Sequence, residues 1–295
     1  MTPLEYARKY WDLDIPLEDG TLRVCVKSYV SGCHGSPLLT KAQTLVDQQD
    51  ELLTVSVKTV FGNLDQRSYD KLTRKKLNGM IQDPFNGKGS PEEIQALMQV
   101  AVKCGFLQRH EVAAFCASGK IGLDCCGFVS NYVWHAVMRR PWDVDVGKKD
   151  AAASNYIPSM MLAGRALKTE DELSIHRAQC LVLATADENG RVIPNGAGAH
   201  IMITEPHTLI RMSSSSFVAT SKGKSSFEYA GQSYQGRSEK VCDGSTFVVV
   251  ESTGGLGLVS SRYRLLSVDE KTGVFKVGRG CKSGTLHVRI ATLAA

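Results

Sequence analysis

From about residue 177 onward the chain becomes a series of short, β-branched-rich segments separated by clusters of Gly, Asn, Asp or Ser. They are Cys180–Thr185, His200–Thr204, Leu209–Met212, Thr246–Ser252, Tyr263–Val268, Val274–Val277 and Leu286–Ile290. The best-marked amphipathic runs all lie before this point. Helices followed by a run of strands predict an α+β fold, with the helices packed on an antiparallel sheet. An apolar fraction of 43% against 22% charged residues suits a packed core and excludes a disordered chain.

The helical half has clear punctuation. Residues 83–89, Asp-Pro-Phe-Asn-Gly-Lys-Gly, are dense in helix and strand breakers and mark the best boundary in the chain. They divide it into an N-terminal α/β extension, 1–85, and a second domain, 86–295. In the extension a short helix is expected near 3–11, strands at Leu22–Val30 and Leu52–Phe61, and a polar helix from 66 to 80. After the boundary, Ser90, Pro91 and Glu93 form a capping box at the start of a helix. Ile94, Leu97, Met98, Ala101 and Val102 then share one of its faces. A second helical stretch covers 108–116, and a third starts at Asp124/Cys125 and runs to Arg140, ahead of Pro141. Trp142–Ser159 reads as a long connection, with a helical stretch near 160–167. Ser213–Gly244 reads as a Ser/Gly-rich excursion between strands.

Composition also bounds the partners. No apolar stretch approaches the length of a membrane helix, and the N-terminus lacks the charged-then-apolar build of a signal peptide. The expectation is a chain that is cytoplasmic when made and has no membrane span, with a leaderless route to a target cell envelope left open. A net charge of +5 is mild, and the Lys71/Arg74-Lys75-Lys76 cluster reads as a solvated helix face, so no nucleic acid is expected as partner. The nine cysteines show neither a Cys-x-x-Cys pair nor zinc-ligand spacing. Neither a metal nor an organic cofactor is expected, and reduced, mostly buried cysteine is the default.

One thiol stands apart. In Ile121-Gly-Leu-Asp-Cys-Cys-Gly-Phe-Val129, Asp124 is a helix cap and Cys125 the first helical residue. Unpaired backbone N–H groups and the helix dipole favour negative charge there, which makes the reactive thiolate available near neutral pH. Cys126, rotated by about 100° around the helix, is expected to pack. The N–H of Cys125 itself can help hold an oxyanion, and Asp124 and Cys126 complete the helix start that would do so. A thiolate nucleophile needs a base. His135 lies ten residues along the same helix, about 15 Å away at 1.5 Å per residue, and cannot serve. His200 follows Gly196-Ala-Gly-Ala199 and opens the strand His-Ile-Met-Ile-Thr, where small residues leave room for a helix terminus. Glu251 ends the apolar strand Thr-Phe-Val-Val-Val-Glu; in strict alternation it shares a face with Phe247 and Val249, and a core-facing carboxylate requires a partner. Glu205 is the alternative orienting group.

These residues resemble a known family. Leu-Asp-Cys-Cys-Gly-Phe-Val is similar to the Asp-Cys-Ser-Gly-Phe/Leu-Val signature of NlpC-type papain-like cysteine peptidases. Ala-His-Ile-Met-Ile resembles that family's histidine strand, and Val-Val-Glu-Ser-Thr-Gly-Gly the strand carrying its third polar residue. The resemblance covers roughly residues 90–280. The chain departs from the pattern at Cys126, which replaces the motif serine, at Gln179-Cys180, which replaces Gly-Asp, and in the insertion at 213–244. The resemblance implies a papain-like α+β fold in which Cys125 attacks a carbonyl, His200 is the base and Glu251 orients it. It implies an amidase or endopeptidase acting on the peptide part of peptidoglycan, for which an immunity or inhibitor protein is a conceivable partner. Two other readings stay open: an intracellular cysteine hydrolase or acyltransferase on protein or lipid, and a catalytically inactive papain-like module.

Overall fold

The computed structural model describes residues 1–31, 36–47, 79, 81–138, 153–210, 225–229, 232–236, 245–279 and 284–293. Six strands form a closed antiparallel barrel: β3 (Leu181–Thr185), β4 (Ile201–Thr204), β7 (Thr246–Thr253), β8 (Gly257–Asp269), β9 (Val274–Arg279) and β10 (Thr285–Thr292). Neighbours in the ring follow chain order, and β10 returns to pair with β3, Ile290 opposite Leu183. Closure removes the two edges that an open sheet of these strands would expose. The hairpin of β5 (Ser225–Tyr229) and β6 (Gln232–Gly236) lies between β4 and β7 in the chain and, among the described residues, forms a separate two-stranded sheet.

Period-two alternation explains why some strands are apolar throughout. Leu181 and Leu183 of β3 face the barrel interior with Met202, Phe247, Val249, Phe275, Val277, Val288 and Ile290. Val182 and Ala184, on the other face of the same strand, join Ile201, Ile203, Val250, Leu258 and Ala291 beneath the helices. β3 and β4 are therefore buried on both sides.

The described helices are α1 (Pro3–Trp11), α2 (Pro37–Asp47), α3 (Pro91–Lys103), α4 (Arg109–Ala117), α5 (Cys125–Tyr132), α6 (Ala153–Ala163) and α7 (Glu170–Ile175). Of these, α1, α5 and α6 lie on that outer face, while α3 and α4 pack on the N-terminal hairpin. The capping box at Ser90/Glu93 forms as expected, and Thr2/Glu5 makes a second one at the head of α1. α5 passes into a single π-helical turn, Val133–Val137. α6 replaces part of the expected connection, since Ile157 and Met161 are spaced one helical turn apart and both buried. Its apolar sequence has little polar contrast to betray a helix.

The described part of the N-terminal extension does not stand apart from the domain expected at 86–295. Tyr6, Tyr10, Ile15, Val24 and Val26, from α1, the hairpin β1 (Leu13–Leu17)/β2 (Gly20–Val24) and the chain after it, share one core with Phe128, Val129 and Tyr132 of α5. Tyr10 donates to the carbonyl of Gly89, Trp11 Nε1 to that of Leu258 in β8, and the Leu4 N–H to Glu205. Residues 83–89, expected as the boundary, hold a 3₁₀ turn at Asp83–Asn86 inside this packing. The strand expected at Leu22–Val30 overlaps β2 only at Leu22–Val24, and the one expected at Leu209–Met212 reduces, among the described residues, to a bridge from Ile210 to Thr246. The run 52–61, residues 66–78 and 80 of the polar helix, and 142–152 of the expected connection lie outside the described residues. No described helix is long and apolar enough to cross a membrane.

Candidate active site

The site begins with the lead into α5. Leu123 is held on both sides of its peptide: its N–H donates to Ser28 O, and its carbonyl accepts from Val30 N–H and from the Ser252 hydroxyl. Asp124 comes next in an extended conformation, φ −89° and ψ 176°, and its Oδ1 accepts from the Gly127 N–H at 2.5 Å. Lys88 Nζ grips both carboxylate oxygens, at 2.8 and 2.6 Å, so the cap charge is neutralised where it stands. Gly127 is required by contact: a Cβ there would lie 1.9 Å from the carbonyl oxygen of Gly87. That carbonyl also accepts from the Asp124 N–H. Asp124 therefore caps the helix as expected, with Lys88 as a partner that local spacing does not indicate.

Cys125 is the first residue of α5 and is 6% exposed. The geometry of a helix start leaves the N–H groups of Cys125 and Cys126 without an intrahelical acceptor. The Cys125 thiol is hydrogen-bonded by Cys126, by His200 and by the Ile201 N–H. Cys126, buried in the core, donates to it, and this is the largest influence on Cys125. Burial works in the opposite direction, while His200 adds a hydrogen bond and a positive charge. The result takes the Cys125 pKa from 9.0 to about 4. Cys126 itself is pushed up, first by that same hydrogen bond and then by burial. The two adjacent thiols are thus pushed in opposite directions, Cys125 down and Cys126 up.

His200 immediately precedes β4. Its backbone is fixed by Thr185, whose Oγ1 accepts from the His200 N–H at 2.8 Å and whose N–H donates to the His200 carbonyl. The imidazole Nε2 lies 2.9 Å from Glu251 Oε2. Nδ1 is the ring nitrogen left for the thiolate. Burial pulls the imidazole towards neutrality, but hydrogen bonds to Cys125 and Glu251 and their negative charges outweigh it, raising the pKa from 6.5 to about 9. Cys125, His200 and Glu251, distant in sequence, form one hydrogen-bonded series.

Glu251 is 1% exposed and faces the barrel interior, as alternation predicted. It has more partners than expected. Arg279 Nη2 lies 2.6 Å from Oε1, and the Tyr263 hydroxyl donates to both oxygens at 3.1 and 3.2 Å. Burial alone would raise this carboxyl; His200 and Arg279 hold it below its ordinary range. Arg279 and Tyr263 were missed as site residues, although the signal existed. Arg279 continues the alternation Phe275, Val277, and Tyr263 that of Leu265, by the same rule that singled out Glu251. Glu205, the alternative orienting group, instead accepts from the Leu4 N–H at the start of α1. His135 stacks on Tyr6 and takes no part in the series.

Such an arrangement has the parts for nucleophilic acyl transfer: an activated thiol, a base in contact with it, a group that fixes the base, and unpaired N–H groups at the helix start. No cluster of three or more His, Cys, Asp or Glu suited to a metal occurs among the described residues. The chain matches no family model, no curated protein and no solved structure.

Proposed function

We propose that the protein is a cysteine hydrolase of amide bonds that works through Cys125, His200 and Glu251. The observation that carries this reading is the hydrogen-bonded series from a helix-start thiol through His200 Nε2 to Glu251 at 2.9 Å. The Cys125 thiolate attacks the amide carbonyl and forms a tetrahedral intermediate, whose oxyanion takes the free N–H groups of the α5 start. The His200 imidazolium gives its proton to the departing amine, leaving a thioester on Cys125. Neutral His200 then takes a proton from water as that water attacks the thioester, releasing the acid and restoring the thiolate–imidazolium pair. Glu251 keeps Nε2 engaged so that Nδ1 faces the sulfur throughout.

For the substrate, the resemblance of the Asp-Cys-Cys-Gly-Phe-Val motif to NlpC-type peptidases favours the peptide part of peptidoglycan. A papain-like arrangement, in which the nucleophile helix packs on a β-barrel that supplies base and orienter, is the corresponding reading of the fold. The test is mass spectrometry of purified muropeptides incubated with wild type and with Cys125→Ala. Cleavage fragments whose masses sum to the parent plus one water are expected with wild type alone. Equal cleavage by Cys125→Ala would overturn the mechanism.

A further inference from the structure

Glu251 is an unusual third residue because it has two cations and one anionic charge to share. His200 takes Oε2 at 2.9 Å and Arg279 takes Oε1 at 2.6 Å, on opposite sides of a carboxylate that water does not reach. Tyr263 donates to both oxygens from the barrel interior. Arg279 also touches the Ser261 hydroxyl at 3.4 Å and is itself mostly buried. A carboxylate needed only to orient an imidazole would require neither Arg279 nor Tyr263. In their absence a thiolate, an imidazolium and a carboxylate would occupy the buried site with a net charge of −1. With Arg279 the four charges sum to zero, which lowers the cost of burying them.

Building on the function proposed above, we infer that Arg279 and Tyr263 are positioning residues of the triad, holding Glu251 in place while drawing part of its charge away from His200. The consequence concerns proton release. Once the sulfur is bonded to the substrate carbon, an imidazolium facing an unshared carboxylate would be a weaker acid towards the leaving amine. It would also be slow to return as the neutral base that deacylation needs. By sharing Glu251, Arg279 keeps His200 able to exchange its proton. Among the described residues, the other charged or titratable groups facing this set are Cys126 and the Lys88–Asp124 pair around the start of α5, and Tyr29, whose hydroxyl feels the Cys125 charge. None of them contacts Glu251.

The test tracks the His200 imidazole by NMR in the full-length protein as pH is varied, with the resonance assigned by its loss in His200→Gln. Wild-type His200 is expected to titrate near 9. Arg279→Gln should move that midpoint up by about one pH unit, the scale of a nearby charge. Arg279→Lys should restore it, and the acid limb of kcat in Arg279→Gln should move up in parallel. Tyr263→Phe removes one donor and little packing, so a smaller upward shift is expected; it carries the test should circular dichroism show Arg279→Gln unfolded. An elevated wild-type midpoint left unchanged in the folded variants overturns the inference while the triad stands. A wild-type midpoint near 6.5 overturns the triad reading itself, and the inference with it.

Discussion

At the scale of single residues, two cysteines adjacent in sequence are driven apart in chemistry by where the helix points them. Both are buried in one core, but hydrogen bonds from Cys126, His200 and the Ile201 N–H, with the charge of His200, lower Cys125, whereas its hydrogen bond to Cys125 and its burial raise Cys126. The pairing has a pH signature in stability. Lowered from 9.0 to about 4, Cys125 contributes stability that is complete above 9.0 and lost as pH falls through about 4. His200, raised from 6.5 to about 9, contributes stability that is complete below 6.5 and lost as pH rises through about 9. Between 6.5 and about 9 the two slopes oppose each other, and below 6.5 only the thiol slope remains. The thermal midpoint of wild type relative to the Cys125→Ala/His200→Gln double variant, which lacks both groups, should therefore hold level across that upper range and decline from pH 6.5 towards 4. A difference that does not change with pH would mean that Cys125 is an ordinary thiol in the folded protein.

At the scale of elements, α5 is placed by backbone contacts that tolerate no substitution at Gly127. A Cβ 1.9 Å from the Gly87 carbonyl must displace either the helix start or the Gly87 turn. Gly127→Ala should cost about 3 kcal/mol, the upper range for a forced steric insertion, and should slow Cys125 alkylation as α5 moves from His200. Chemical denaturation together with alkylation kinetics checks both effects, and unchanged values would remove the close approach from the account. Much at this scale was legible in the sequence. The Ser90/Glu93 box, the Asp124 cap and the inward face of Glu251 all derive from local spacing, because capping and alternation are local rules. α6 was not legible, since its burial of Ile157 and Met161 comes from tertiary packing and its apolar sequence carries no helical stripe. Arg279 was open to the alternation rule and was overlooked because it ends a strand, where a charged residue ordinarily faces water.

At the scale of the whole molecule, barrel closure and the inclusion of the N-terminus in the core were beyond reach of the sequence. The β3–β10 pairing joins Leu181 to Thr292, and no local pattern specifies a register over that separation. Likewise, the breakers at 83–89 suggest a boundary by composition, yet they enclose the Gly87 and Gly89 carbonyls that receive Asp124 and Tyr10. The proposed activation of Cys125 therefore depends on the complete fold, because its partners come from β4, β7 and α5. The most direct test is the pH profile of Cys125 alkylation by iodoacetamide, read by peptide mass spectrometry in native and urea-unfolded protein. The exposed Cys25, whose thiol is pushed up by partial burial, serves as internal reference. Native Cys125 should react at a rate that is level from about pH 5.5 to 8, because a thiol with a pKa near 4 is already thiolate there. Unfolding should remove that reactivity at pH 6. A native rate that climbs with pH towards 9 alongside Cys25, or that persists unchanged on unfolding, would contradict the triad.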